Sequence, residues 1–415
     1  MTMKHIFPNG LTLLTHSQPG TGYTRISVRV GVGSSHEPPK LRGISHFLEH
    51  MLFRGTDRYT SDEQSEAAEL MGSTIEAYTS DVATVYSISV RPECLSDALG
   101  LLHSMFRAPA FDDIELERNI VQEEILASLD EHKRIIDATQ LVTRWLYPSD
   151  PRGLPIYGSL ESVARISEDD LTAWLERHYV GPNTVCIVTG EVDAEVLSMV
   201  AGSLGQLNRG DPTPTPRVQE DQHMGSLHVE NAGSQTSVCV AWRVNAPYAK
   251  HAAAFNIIAS LLGARMYSSL VSDKGLCYET GNSLFVHPDC VVFILSAECT
   301  PENSFAVVNS LLEAPNKTFT DRDLKRQVST TSFELVRSLK SPTGMAAALV
   351  EQIDSQAEPL RSEDISALTM SQIEEVRALI DFDAVSIVTV GPSPTLAQLV
   401  SQGVSRLVEQ LTGVG

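Results

Sequence analysis

The chain has 415 residues, of which 42% are hydrophobic and 20% charged, as is typical of a globular protein with room for more than one domain. Its net charge of −21 argues against a nucleic-acid partner, because such binding depends on basic side chains that neutralise phosphates. No apolar run approaches the roughly 18 residues of a membrane helix, and segment 1–14 does not resemble a secretory signal. The six cysteines are scattered without a C-x-x-C pair, so we expect free thiols, a cytoplasmic location and no membrane partner.

The first predicted elements are strands. Residues 5–15 predict a hairpin around the turn Pro8-Asn9-Gly10, and residues 23–32 predict a strand with alternating apolar side chains. A loop at 33–43, which contains two adjacent prolines, leads into a predicted helix at 44–54.

That helix has two different faces. Its apolar side chains recur at helical spacing and form a stripe suited to a core: Ile44, Phe47, Leu48, Met51 and Leu52. The opposite face carries His46, Glu49 and His50. Histidines at i and i+4 project side by side and can hold one metal ion, although a solvated helix face remains the alternative interpretation. Gly55 is placed to end the helix.

Helices and strands follow through the rest of the first half. A helix is expected from Ser61, with Gln64 at a capping-box position and Gly72 at its end. The remaining predicted elements are, in order, an extended segment at 75–80, a strand at 86–90, helices at 94–107 and 112–134, a helix capped at 167 and a buried strand at 185–189.

A change of composition at 208–224 divides the chain. This stretch contains alternating prolines at 212, 214 and 216 and lacks apolar periodicity, which favours an extended spacer. We therefore predict one domain at 1–207, a linker at 208–224 and a second domain at 225–415.

The second half repeats short runs of the first. Residues 111–118 match residues 319–326, and residues 185–189 match residues 385–389 in the same order. Two matches on either side of a linker indicate a duplicated domain.

The repeat separates residues needed for folding from residues needed for chemistry. In the matched runs, Glu117 is replaced by Lys325. At the same spacing, Glu124 is replaced by Ser332, and the segment corresponding to the histidine helix, 255–263, has neither histidine nor glutamate. Residues needed for the fold should recur in both halves, so residues present only in the first half are candidates for chemistry.

The residues alone leave the third metal ligand open. A catalytic zinc takes three protein ligands, and the two histidines supply two. Glu117, Glu123 and Glu124 are the candidates on the helix predicted at 112–134. Glu117 and Glu124 share a helical face, whereas Glu123 points about 100° away from Glu124. An acidic face turned to solvent is the competing interpretation.

Three segments together resemble a known enzyme family. The run HFLEHMLFRGT at 46–56 resembles the active-site helix of the inverzincin metallopeptidases, the family of pitrilysin, insulin-degrading enzyme and mitochondrial processing peptidase. Residues 117–124 match that family's E-R-x-V-x-x-x-E run, with Ile120 in place of valine. Residues 76–86 are similar to its N-A-Y-T-x-x-x-x-T-V-Y run, with Glu76 where asparagine is common.

The resemblance implies an α+β fold of two homologous domains, each a mostly antiparallel sheet with helices packed on it. It also implies one Zn²⁺ per chain, held by His46, His50 and Glu124. Glu117 would support the ligand histidines through a hydrogen bond. Glu123 would be the ligand if the register were displaced by one residue.

The implied activity is that of a zinc endopeptidase acting on peptides or unfolded segments. Glu49 would take a proton from the zinc-bound water and return it to the leaving amine. The peptide would bind in extended form along an open sheet edge at Ala77, Tyr78 and Thr79. Tyr278, in a run similar to the family's R-G-L-A-Y, would hold the substrate backbone.

One departure from the family bears on partners. The family often pairs that tyrosine with an arginine seven residues earlier, and this position is Val271, which cannot donate a hydrogen bond from its side chain. We therefore expect a dimer. A heterodimer with a homologous chain is favoured over a homodimer in which Arg265 or Lys274 replaces the missing donor.

Two other functions agree with parts of the sequence. Members of the family also serve as non-catalytic structural or substrate-binding subunits, but those usually lose residues of the inverted motif, which this chain keeps. A thiol enzyme using Cys94 or Cys277 has less support, because neither cysteine has a local histidine partner.

Overall fold

The computed structural model describes residues 2–214, 216 and 222–392. The chain divides into two compact units that do not follow its linear order. Unit 1 contains residues 1–127, 154–218 and 337–350, and unit 2 contains residues 128–153, 219–336 and 351–415. Each unit therefore includes one segment from the opposite half of the sequence.

Unit 1 is built on a six-stranded sheet. Its strands are β1 (Thr2–Ile6), β2 (Thr12–Ser17), β3 (Thr24–Val30), β4 (Glu76–Thr79), β5 (Thr84–Val90) and β6 (Thr184–Gly190). Their spatial order is β1-β2-β6-β3-β5-β4, with only the β2–β6 pair parallel. The central strand β3 is buried along its whole length, so its polar residues are enclosed as well as the alternating apolar residues that the sequence indicated.

The helices of the first half are α1 (Ile44–Met51), α2 (Ser61–Met71), α3 (Leu95–Arg107), α4 (Ile114–Ala127), α5 (Ala138–Leu146), α6 (Leu160–Val163), α7 (Glu168–His178) and α8 (Val196–Ala201). Helix α5 belongs to unit 2, and the others belong to unit 1. The predicted helix at 112–134 was too long, because α4 ends at Ala127, where the chain leaves unit 1.

Unit 2 repeats the architecture. Its strands are β7 (Gly225–Glu230), β8 (Thr236–Val244), β9 (Cys277–Val286), β10 (Val291–Cys299) and β11 (Val385–Gly391). The order β7-β11-β8-β10-β9 reproduces β2-β6-β3-β5-β4, and only the β7–β11 pair is parallel. This confirms the predicted α+β fold of two homologous, mostly antiparallel sheets with helices.

The helices of the second half are α9 (Tyr248–Tyr267), α10 (Ser304–Glu313), α11 (Asp321–Leu339), α12 (Pro342–Ser355), α13 (Ser362–Ser366) and α14 (Met370–Arg377). By length and composition, α9 and the turn that continues it to Asp273 could cross a membrane. Half of that apolar window is buried, however, and Phe255, Ile257 and Ile258 lie inside the core of unit 2. Helix α9 is therefore packed as the core helix of its unit.

The two units exchange equivalent segments. In unit 2, apolar residues of α5 such as Val142 and Leu146 pack against Ala241 and Val292 of the sheet. In unit 1, Thr189 Oγ1 donates a hydrogen bond of 2.7 Å to the carbonyl of Pro342, at the start of α12.

Local boundaries differ by a few residues from those expected. Helix α1 ends at Met51 rather than close to Gly55, because Phe53 and Arg54 continue as tight turns. Helix α2 is capped by Thr60 and Glu63, whereas Gln64 is buried and donates a hydrogen bond to the carbonyl of Leu52. Part of the predicted linker at 208–224 lies outside the described residues, and the division at that point into homologous halves stays a prediction.

Candidate metal centre

Helix α1 is fixed in unit 1 by its apolar stripe. Phe47, Leu48 and Met51 are fully buried. Gly43 precedes the helix at φ +91°, and a Cβ at this position would lie 2.5 Å from the carbonyl oxygen of Tyr157. Glycine is therefore required here for both the backbone conformation and the close approach. This placement directs the opposite, histidine-bearing face toward α4.

Three side chains from α1 and α4 converge on one point. The Nε2 atoms of His46 and His50 each lie 3.7 Å from Oε2 of Glu124. One ligand atom from each of the three residues lies within 4.8 Å of the others. Two imidazoles and one carboxylate are a donor set that zinc uses in catalytic sites. Glu123, the alternative third ligand, does not belong to this group.

The electrostatics of the histidines favour different protonation states. Burial, together with repulsion from His50, lowers the pKa of His46 to about 3, so this imidazole is neutral at physiological pH. Burial also opposes charge on His50, but hydrogen bonding and attraction to Glu117 outweigh it and raise the pKa of His50. A metal ion at this point would displace that proton, because only an unprotonated nitrogen can act as a ligand.

Glu117 orients His50. Its Oε1 lies 2.7 Å from His50 Nδ1, and its Oε2 accepts a hydrogen bond from Arg54. Burial opposes ionisation of this carboxyl, but the bonds from His50 and Arg54 lower its pKa overall. Since a carboxylate only accepts hydrogen bonds, Nδ1 of His50 carries a proton, and Nε2 is the nitrogen directed toward Glu124 that would bind a metal once it is unprotonated.

Glu49 lies on the same helix and is held by a threonine. Thr79 Oγ1, at the end of strand β4, donates a hydrogen bond of 2.5 Å to Glu49 Oε2. Burial raises the pKa of Glu49, while the bond from Thr79 and the proximity of His50 oppose that rise. A raised pKa makes a carboxylate a better proton acceptor near neutral pH.

Within the segment predicted to bind substrate, the side chains point in different directions. Strand β4 forms an edge of the sheet, and Tyr78 on it is 52% exposed. Ala77 is half-buried, whereas Thr79 is buried against Glu49. The contact between Thr79 and Glu49 was not anticipated, because nothing in the sequence shows which face of a short strand meets a helix.

Two other residues were also missed. Arg54 lies within the run at 46–56 and forms an ion pair with Glu117. Its positive charge, opposite the acidic helix at 114–127, could have predicted this pair. Glu37 is 4% exposed and hydrogen-bonds the first turn of α1. Nothing in the proline-containing loop around Glu37 predicted that it would contact the helix.

The remaining candidates lie in unit 2. Tyr278 is 93% exposed, and Val271 lies in a π-helical turn that follows α9. The guanidinium of Arg265 donates to the carbonyls of Ala314, Lys317 and Thr318, and Lys274 donates to Ser310 Oγ at 2.9 Å. Both proposed replacements for the missing arginine are therefore engaged within their own unit.

The cysteines do not form an activated site. All six are free thiols. Burial raises the pKa of the Cys277 thiol, which is the opposite of the change that a nucleophilic cysteine needs.

Comparison with known proteins agrees with this geometry. The family model described as insulinase (peptidase family M16) matches residues 12–157, and the model described as peptidase M16 inactive domain matches residues 165–330. The inactive-domain match includes α9, which corresponds in unit 2 to α1 of unit 1. Helix α9 carries no zinc motif.

Relatives and solved structures extend the same result. The uncharacterized zinc protease YmxG of Bacillus subtilis is 28% identical over 288 residues, covering 67% of this chain and 69% of that protein. A probable mitochondrial-processing peptidase subunit beta of Arabidopsis thaliana is 30% identical over 206 residues, covering 49% of this chain and 40% of that protein.

A protease from Helicobacter pylori shares the fold, with a TM-score of 0.86 at 21% identity, covering 94% of this chain and 99% of that chain. The two family models together match most of the sequence, and their order agrees with the repeated architecture. The chain therefore belongs to the insulinase family of peptidases, M16.

Proposed function

We propose that this protein is a zinc-dependent endopeptidase that hydrolyses peptides or unfolded segments bound in extended form. The observation that carries the proposal is the convergence of His46, His50 and Glu124, with Glu49 on the same helix. The zinc-protease names of its relatives support it.

The proposed metal ligands are His46, His50 and Glu124. His46 is neutral, and Glu117 holds His50 with its Nε2 directed toward Glu124, so the three residues fit zinc. When bound, zinc would supply a Lewis acid that polarises the scissile carbonyl and makes water more acidic.

Glu49 is the proposed general base. It is buried, its pKa is raised, and Thr79 holds one of its oxygens. The free oxygen would accept a proton from water and return it to the leaving amine, so that the nitrogen departs as a neutral amine. Because Glu49 is not among the clustered ligand atoms, it stays available for proton transfer.

The proposed substrate platform is strand β4, because it has only one neighbour in the described sheet. An added peptide strand would pair with it through main-chain hydrogen bonds, which suits many sequences in extended form. Thr79 ends this strand and touches Glu49, so a peptide bound there would lie beside the proposed base.

The test is the variant Glu49→Gln. It should bind zinc like the wild type and lose at least about 100-fold in peptide turnover, because an amide cannot accept the proton. Glu123→Gln, on the exposed side of α4, is the matched control and should leave turnover unchanged. Full activity in zinc-loaded Glu49→Gln protein would contradict the assignment.

A second candidate is a non-catalytic subunit of a two-chain assembly. Its basis is the incomplete substrate clamp, because Tyr278 is exposed, position 271 is valine, and Arg265 and Lys274 are engaged within their own unit. These features favour dependence on a second chain, whereas the intact zinc motif favours the catalytic role. A relative named as a subunit supports the idea of a paired assembly.

We therefore also propose that the active form is a dimer, with a homologous second chain favoured over a second copy of this one. Missing one substrate hydrogen bond costs about 1–3 kcal/mol in a dry site, or roughly 5- to 150-fold in rate. Peptidase activity of this chain alone should rise by that factor when a homologous chain is added. Full activity alone, unchanged by the addition, would reject the heterodimer.

A further inference from the structure

We infer that Glu37 is a positioning residue for the metal helix: its carboxylate fixes the first turn of α1 and thereby directs His46 and Glu49 into the site. The inference rests on the proposed zinc function of that helix. Glu37 lies outside the inverted motif, is not one of the three proposed ligands and has Gly43 and Ser45 as its hydrogen-bond partners.

Each oxygen of Glu37 has its own backbone partner. Oε2 accepts from the N–H of Gly43 at 2.7 Å, and Oε1 accepts from the N–H of Ser45 at 2.9 Å. The first amides of a helix have no partner inside the helix, and buried amides need one. Two bonds at different amides restrain both the tilt and the rotation of the helix end, whereas a single bond would leave one of these motions free.

The helix end has little other support from side chains. Gly43, at the N-cap position, has no side chain that could accept a bond from the first turn. A carboxylate supplied from elsewhere therefore takes the place of the usual serine, threonine or aspartate cap. Burial raises the pKa of this carboxyl to about 7, while the bonds from the two amides favour its ionised form. The positive end of the helix dipole favours that form as well.

The loop that carries Glu37 is anchored to the end of strand β4. Ser35, two residues earlier, donates from both its backbone N–H and its Oγ to the carbonyl of Asp81, at 2.9 and 2.6 Å. Ser34 N–H donates to the carbonyl of Ser80 at 3.1 Å. Residues 80 and 81 directly follow strand β4, so Glu37 connects the end of that edge strand to the start of the metal helix.

This connection gives α1 two contacts with the region around β4. One is the direct bond from Thr79 to Glu49 in the second turn of the helix. The other passes through Ser35 and Glu37 to the first turn. The two contacts hold the helix at separate points, so the directions of its polar side chains follow the position of the edge strand.

The experiment compares Glu37→Gln with Glu63→Gln. Both replace a carboxylate that caps a helix in unit 1, but Glu63 caps α2, which carries no proposed ligand. For Glu37→Gln we expect zinc to bind about 10-fold or more weakly in a chelator-competition titration. We also expect kcat at saturating zinc to fall while KM changes little. Glu63→Gln should keep the wild-type zinc Kd and kcat.

The proposal is overturned if Glu37→Gln keeps the wild-type zinc Kd and kcat and only lowers the melting temperature, as a structural cap would. If Glu37→Gln does not fold, Ser35→Ala provides the same test, because it removes only the Oγ tether to Asp81. Ser35→Ala should then weaken zinc binding in the same direction, and an unchanged Kd would overturn the proposal. Absence of zinc binding by the wild type would instead reject the proposed function.

Discussion

In both halves of this chain an equivalent pair of helices is in contact, but different kinds of side chain form the contact. In the first half, α1 and α4 meet through His50 and Glu117 and bring together the cluster completed by Glu124. In the second half, α9 and α11 meet through small hydroxyls, with Thr331 Oγ1 donating to Ser260 Oγ at 3.4 Å. The shared fold thus supplies a helix contact that tolerates either ionisable groups or simple packing. Chemistry depends on which side chains occupy it.

The largest expected effect is loss of the metal when the first-half cluster is broken. Replacing His46, His50 or Glu124 with Ala should reduce zinc from one ion per chain to nearly none, because two ligands hold zinc poorly. Zinc content of the purified variants measures this effect.

Ser332→Ala, at the position corresponding to Glu124, is the second-half control and should keep full zinc. If Glu124→Ala retains the metal while Glu123→Ala loses it, the ligand assignment is one residue out of register.

An intermediate effect is expected from Glu117→Gln. The amide cannot attract the His50 proton as a carboxylate does and leaves Arg54 without its partner charge. Zinc affinity should fall about 10- to 100-fold, measured by chelator competition. Lys325→Gln, at the corresponding second-half position, should leave the affinity unchanged. Equal affinities for Glu117→Gln and wild type would show that His50 needs no orienting partner.

The smallest effect concerns the pH dependence of the stability of unit 1, which contains the candidate site. His178, in the last turn of α7, is buried, and burial lowers its pKa from 6.5 to about 4. The unfolded chain therefore binds more protons than the folded chain between these values. Stability contributed by the neutral ring is present above pH 6.5 and is lost as pH falls toward 4.

His178→Gln should remove this part of the acid sensitivity, on the order of 1 kcal/mol after solvent screening. Urea unfolding at pH 7 and pH 5 measures it. His5→Gln, on the exposed strand β1, is the control and should keep the wild-type slope. An unchanged slope in His178→Gln would show that the ring does not stay neutral in the folded protein.

Periodicity and motif spacing predicted much of the centre. The two faces of α1 follow from the placement of apolar residues, so the burial of Phe47 and the direction of His46 were predictable. The repeat indicated that α4 would carry residues with no equivalent in α11. The choice of Glu124 over Glu123 depended on resemblance to a family, because both are glutamates on one helix and the sequence does not show which of them faces α1.

Contacts between distant segments were not predictable from the pattern. The bond between Thr79 and Glu49 depends on which face of a four-residue strand meets the helix. Glu37 reads as one charged residue in a polar loop, and only the folded backbone shows that the amides of Gly43 and Ser45 lie within its reach. The end of α1 was misplaced because a glycine marks a left-handed turn without showing how many tight turns precede it.

Because each unit contains a segment from the opposite half of the sequence, the chain cannot be cut into two fragments that each contain a complete unit. A fragment ending at residue 207 would lack residues 337–350, which belong to unit 1, and would retain residues 128–153, which belong to unit 2. Neither half of the gene therefore encodes a complete unit. A protease nick at 208–224 would sever one of several chain connections and leave the rest intact. Both units therefore draw on both halves of the sequence, so each half depends on the other to complete its fold.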